Sequence, residues 1–229
     1  MSSVLDNRRQ SDTGAAEYIY VVFVMAINNF KGFFMFTWLP MPHLPMPPEH
    51  FIKRAHHIAQ QHDLTDVLEN TVTPDYHERI VIKNNETKIS RYQRSRYMGE
   101  DWADWVSNNL IDTFIETGLR VSLPVSDTHG PHTDPMRKWK LYYLLERGGP
   151  LAVTKFYKER GQPTVRDQSD DNIVCNNMDM LEEIDSVQWP DQQWVLLNTM
   201  ILHSVESIKG IRYNLTVGIK PGDLRLLYH

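Results

Sequence analysis

The chain has 229 residues, enough for one domain with a full hydrophobic core, and its 41% hydrophobic and 23% charged residues are those of an ordinary globular protein. A net charge of -5 gives no electrostatic reason to expect nucleic acid or an anionic membrane as a partner. The lone cysteine, Cys175, excludes an intramolecular disulfide and fits a reducing compartment, with the cytoplasm as the expected location.

Met1–Ala16 is polar and reads as a frayed terminus. Tyr18–Ile27 is the most apolar run, too short to span a bilayer, and suits a buried strand. Phe33–Leu39 reads as a second strand, and the prolines of Pro40–Pro48 require an irregular loop. His50–His62 predicts a helix, with Phe51, Ile52, Ala55, Ile58 and Ala59 on one face. A short strand is expected at Arg79–Ile82 within a polar stretch. Asp101–Thr117 predicts a second helix, with Trp102, Trp105, Val106, Leu110, Phe114 and Ile115 on its apolar face and Gly118 as its C-cap. Beyond Gly118, Leu119–Val125, Lys140–Leu145, Ala152–Tyr157, Trp194–Leu197 and Tyr213–Ile219 are short β-prone runs, the pattern of a sandwich or barrel. No internal repeat or second domain is visible, so 1–229 reads as a single domain.

The chemistry concentrates in His129-Gly130-Pro131-His132-Thr133-Asp134. In an extended strand, residues two apart share a face, so His132 and Asp134 can approach one metal from the same side. Two histidines and a carboxylate on one face of an octahedron leave three positions open, the arrangement of non-haem iron oxygenases. A third ligand must come from elsewhere in the chain. His129 reads as a turn residue or as a further ligand.

Downstream, His203 is followed by Val205, Arg212, Tyr213 and Thr216. Together with His132-x-Asp134, the strand Leu141-Tyr142-Tyr143-Leu144, the turn Gly148-Gly149 and Phe156, this pattern resembles the iron(II)- and 2-oxoglutarate-dependent dioxygenase superfamily, most closely its prolyl-hydroxylase-like branch. The resemblance spans about Leu119 to Ile219. It implies an α+β fold with a double-stranded β-helix (a jelly-roll, cupin-like core at about 119–220) and helices packed on one sheet. It also implies iron(II) held by His132, Asp134 and His203, with dioxygen as co-reactant. The distal carboxylate of 2-oxoglutarate would meet Arg212, helped by Tyr143, with Leu141, Val205 and Thr216 around it. By the same resemblance the activity is hydroxylation of a peptidyl prolyl or small amino-acid-like substrate, with release of succinate and carbon dioxide. The insertion between Gly148-Gly149 and Thr154 and the long acidic stretch Arg160–Asp185 depart from the family pattern.

Other residues carry two readings each. Arg120 contacts a substrate carboxylate or makes a structural ion pair. Lys140 alternates with Trp139 and is expected to face solvent. Residues 75–97, with Arg94 and Arg96, form a lid that presents arginines to substrate, or a solvated hairpin. The expected partner is a small molecule or peptide, with no nucleic acid and no membrane; the sequence is silent on oligomeric state. The rival reading is a cupin-like binding or isomerising protein without redox chemistry, for which Arg212 would have no purpose.

Overall fold

The computed structural model describes residues 36–60, 76–83, 86–122, 128–134, 139–161, 166–169, 172–175 and 178–228. The chain divides into two units, Met1–Phe36 and Thr37–His229, and the elements below belong to the second. The expectations for Met1–Ala16 and Tyr18–Ile27 lie outside the described residues.

The strands run β1 (Trp38–Pro40), β2 (Tyr76–Lys83), β3 (Glu86–Arg96), β4 (Glu116–Ser122), β5 (Thr128–Thr133), β6 (Trp139–Arg147), β7 (Val153–Glu159), β8 (Arg166–Ser169), β9 (Asn172–Cys175), β10 (Leu181–Val187), β11 (Trp194–Leu197), β12 (Leu202–Glu206) and β13 (Arg212–Ile219). They form a seven-stranded sheet in the order β1-β11-β6-β13-β4-β3-β2 and a six-stranded sheet in the order β10-β7-β12-β5-β9-β8. The pairings are antiparallel throughout. From β4 to β7, and again from β10 to β13, successive strands alternate between the two sheets. Each sheet therefore contributes a face to one shared core. That core is Leu144, Phe156, Val187, Trp189, Val195 and Leu197, with Trp38, Tyr142 and Ile201 packed against it. Burying each large side chain stabilises the fold by roughly 1.5–3 kcal/mol.

The helices cover the outer face of the seven-stranded sheet. Helix α1 (Glu49–Gln60) buries Phe51, Ala55 and Ala59, one residue per turn along a single stripe. Helix α2 (Glu100–Asn109) buries Trp102 and Val106. Phe51 and Trp102 meet edge to face at 5.2 Å. Trp102 Nε1 donates to Thr117 Oγ1 at 2.8 Å, and His56 Nδ1 lies 2.6 Å from the Tyr213 hydroxyl, so both helices are tied to strands of that sheet.

The expected helix over Asp101–Thr117 is corrected: α2 stops at Asn109. The backbone N–H groups of Leu110 and Ile111 both turn back to the Val106 carbonyl, and Ile115 N–H instead joins the Gly218 carbonyl at 2.8 Å. Sheet pairing thus claims the segment that helical periodicity had assigned to α2. Gly118 is no helix cap; it lies inside β4 opposite Thr216. The Pro40–Pro48 loop leads from β1 into α1 as expected. Tyr76–Arg96 forms a hairpin that continues the seven-stranded sheet through Gln93–Arg96. Among the described residues, no helix is long and apolar enough to cross a membrane.

Candidate active site

β5 and β12 lie side by side in the six-stranded sheet, with His203 directly opposite His132. Their rings sit 4.4 Å apart between centroids. Asp134 follows the end of β5, where its N–H donates to the Thr199 carbonyl at 2.8 Å. All three side chains are buried. His203 Nδ1 is 2.9 Å from the Ile201 carbonyl. A carbonyl can only accept, so Nδ1 carries the proton and the ring lone pair is on Nε2, the tautomer a metal ligand needs.

The three residues line one cavity of about 520 Å³, its open mouth included. They converge there without forming a closed metal cage: among the described residues, no three such side chains stand in ion-holding geometry. His132 Nε2 lies 3.9 Å from Asp134 Oδ1. Two ligands at right angles on an ion with bonds near 2.1 Å sit about 3 Å apart. The His132–Asp134 pair is thus about 1 Å wider than one shared ion would set it, while the donor types are those of a 2-His-1-carboxylate site.

The seven-stranded sheet supplies the facing wall. Strand register places Ser122 opposite Arg212, Arg120 opposite Asn214 and Glu116 opposite Gly218. On the other side of β13, Thr216 stands opposite Tyr142 and Gly218 opposite Lys140. Arg120, Ser122, Tyr142, Arg212 and Asn214 line the cavity, together with Thr154, Trp189, Leu197 and Val205. Arg212 is 7% exposed. Its one hydrogen bond among the described residues is a long one, 3.4 Å from Nη1 to the Arg147 carbonyl. Burial pulls the Arg212 pKa down to about 10, with the Arg147 charge adding to the shift, so the guanidinium remains charged at neutral pH. The Gly148-Gly149 turn packs against its base. A Cβ on Gly148, at φ 80°, would come within 2.8 Å of Arg212 Cβ, so only glycine fits there.

Several sequence expectations need correction here. Tyr143 and Leu141 do not line the cavity. They are fully buried on the alternate face of β6, where Tyr143 packs on Trp194, and Tyr142 takes the inward position. Lys140 does not face solvent. It is completely buried, with Nζ 3.4 Å from Asp134 Oδ2 and 3.7 Å from Glu116 Oε1. Gly218, directly between Lys140 and Glu116 in the sheet, has no side chain to block that pairing. Val205, Arg120 and Arg212 line the cavity. Thr216 is buried on β13, where its hydroxyl donates to the Gly118 carbonyl at 3.4 Å, and is not among the lining residues. Arg94 and Arg96 stand opposite Val121 and Leu119, not opposite the cavity-lining Arg120 and Ser122, and their side chains lie outside the described residues. His129 pairs in register with Val205 in β5, so its backbone is strand, not turn. Asn214 was missed; its signal was its place two residues beyond Arg212 on one strand, hence on the same face.

No family model and no curated protein matches the chain. It is similar to solved structures at low identity. AviO1 from Streptomyces viridochromogenes Tue57 is 12% identical, covers 81% of this chain and 90% of its own, and has a TM-score of 0.43. EvdMO1 is 12% identical over 81% of this chain and 47% of its own, with a TM-score of 0.45. ThoJ, a non-heme monooxygenase solved as a nickel complex, is 11% identical over 79% and 72%, with a TM-score of 0.38. The expected placement in a prolyl-hydroxylase-like branch is corrected on these findings: the similar structures carry other descriptions and none points to that branch.

Proposed function

We propose that the chain is an iron(II)- and 2-oxoglutarate-dependent oxygenase, with its two sheets as the walls of a double-stranded β-helix. The observation that carries the reading is Arg212. It is a buried cation with no carboxylate partner among the described residues, in the same cavity as two histidines and an aspartate. Leaving a buried charge unpaired costs several kcal/mol, and an anionic ligand offsets that cost. 2-Oxoglutarate meets both needs, a chelating end for a metal and a carboxylate for the guanidinium. The alternation of β4–β7 and β10–β13 between the sheets supports the β-helix reading.

In this reading His132, Asp134 and His203 hold the metal, and the Ile201 carbonyl keeps His203 in the ligating tautomer. Arg212 takes the distal carboxylate of the cosubstrate through two parallel hydrogen bonds. In the same reading Tyr142, which lines the cavity from the adjacent strand, donates to that group. Trp189, Leu197 and Val205 keep that part of the cavity apolar and exclude water. Bound iron(II), 2-oxoglutarate and dioxygen supply the oxidising chemistry, with succinate and carbon dioxide as co-products.

The test is calorimetric binding of manganese(II), an oxygen-stable stand-in, and then of 2-oxoglutarate, followed by iron- and oxygen-dependent succinate release. One metal per chain, metal-dependent 2-oxoglutarate binding and loss of both in His203→Ala are expected. Metal binding without any 2-oxoglutarate binding would favour the cupin-like non-redox reading instead.

A further inference from the structure

We infer that Arg120 and Asn214 form a second anion-recognising pair in this cavity, and that the substrate carries a carboxylate which they hold. The inference rests on the cosubstrate reading, because it concerns what remains of the cavity once Arg212 is engaged.

Asn214 is 5% exposed, and its Nδ2 is buried without a hydrogen-bond partner among the described residues. Buried amide donors are nearly always satisfied, so an orphan one lining a cavity points to a ligand acceptor. Arg120 stands directly opposite Asn214 across the β4–β13 pair, and it too is buried and lines the cavity. Side chains directly opposite in antiparallel strands have Cβ atoms about 4.5–5.5 Å apart. A guanidinium fork and an amide N–H₂ thus reach one cavity from neighbouring backbone positions, a donor set that suits a planar carboxylate. One guanidinium is enough for the distal carboxylate of 2-oxoglutarate, and Arg212 supplies it. Arg120 and Asn214 are one step further along β4 and β13, displaced toward Thr216 and Gly118.

The experiment uses the full chain loaded with manganese(II) and 2-oxoglutarate. A panel of free amino acids and aliphatic hydroxy acids, each paired with its methyl ester, is screened by ligand-observed NMR, and binders are quantified by calorimetry. At least one acid is expected to bind about tenfold or more tightly than its ester, since esterification removes the charge. Arg120→Met and Asn214→Leu should each weaken the acid by about tenfold while 2-oxoglutarate affinity stays within about threefold. Arg120→Lys should recover part of the loss, and thermal melts establish that each variant is folded. Equal binding of acids and esters, failure of every acid to bind, or an equal loss of 2-oxoglutarate binding in the variants overturns the proposal. Failure of native protein to bind 2-oxoglutarate would sink the cosubstrate reading separately, because acid against ester can also be compared on protein without it.

Discussion

The two sheets bring opposite chemistry to one cavity. The six-stranded wall offers two imidazoles and a carboxylate, donors suited to a cation. The seven-stranded wall offers two guanidiniums and an amide N–H₂, donors suited to anions. A guest that satisfies both walls must carry a metal at one end and negative charge at the other. Lys140 belongs to the anion-binding wall yet reaches across to Asp134 on the other, the point where the two chemistries meet. The division implies that substitutions on one wall and on the other should separate metal binding from anion binding.

The largest loss of stability is expected where the walls are joined. Asp134→Ala leaves the buried Lys140 ammonium with Glu116 at 3.7 Å. Breaking a buried ion pair from one side costs about 3–5 kcal/mol, and Glu116 should hold the loss to about 3 kcal/mol. The double variant Asp134→Ala/Lys140→Met should regain most of this in urea unfolding, because no buried ammonium is then stranded and Glu116 is partly open to water. A single variant as stable as the native chain would show that Asp134 does not hold Lys140, and the walls would be electrostatically independent.

Arg212 tests the anion wall alone. Arg212→Met should weaken 2-oxoglutarate binding by about 2–5 kcal/mol in calorimetry and leave manganese(II) binding nearly unchanged. The same variant should stabilise the ligand-free protein by about 1–4 kcal/mol, since an apolar group of similar length replaces a poorly paired buried charge. The sign follows from the depressed pKa. Between about pH 10 and the ordinary arginine value, the unfolded chain holds the proton and the folded chain does not, so this residue's contribution to stability rises with pH there. At neutral pH both states hold the proton and the full cost of burial stands. A destabilised ligand-free variant would mean that Arg212 has a structural counter-charge, and the anchor reading would lose its support.

How far the sequence was legible depended on the kind of signal. His132-x-Asp134 could be read because strand alternation fixes which side chains share a face, and His203 through the pattern the chain resembles; the three line one cavity. Arg212 was legible by its offset from His203, and Gly148-Gly149 by its turn chemistry, which the structure explains through the contact with Arg212 Cβ. β6 was misread in phase. Every residue from Trp139 to Leu144 is aromatic or aliphatic except Lys140, and both faces of a sheet covered by helices on one side and core on the other are buried. Such a strand has no polar face to mark which alternate set points inward. Lys140 supplied a false mark, because lysine reads as solvent-facing and its carboxylate partners, Asp134 and Glu116, are on other strands. The α2 boundary was lost to the same cause: Leu110 and Ile111 are buried, so the apolar stripe continues after the helix ends.

The phase of β6 also gives the smallest and most discriminating prediction. Tyr143 is fully buried with its hydroxyl unpartnered among the described residues, and burial raises its pKa. Tyr143→Phe removes an unsatisfied polar group while keeping the ring against Trp194, so it should stabilise the protein by about 1 kcal/mol. Being on the outer face, it should leave 2-oxoglutarate affinity as it was. Tyr142→Phe should do the reverse. Losing one hydrogen bond to a charged carboxylate is worth about 1.5 kcal/mol, or roughly tenfold in 2-oxoglutarate affinity, with little change in stability. The pair is read by calorimetry for affinity and by thermal unfolding for stability. If Tyr143→Phe were the variant that lost affinity, the inward face of β6 would be Leu141 and Tyr143 after all. Lys140 would then point away from Asp134, and the junction between the two walls would dissolve with it.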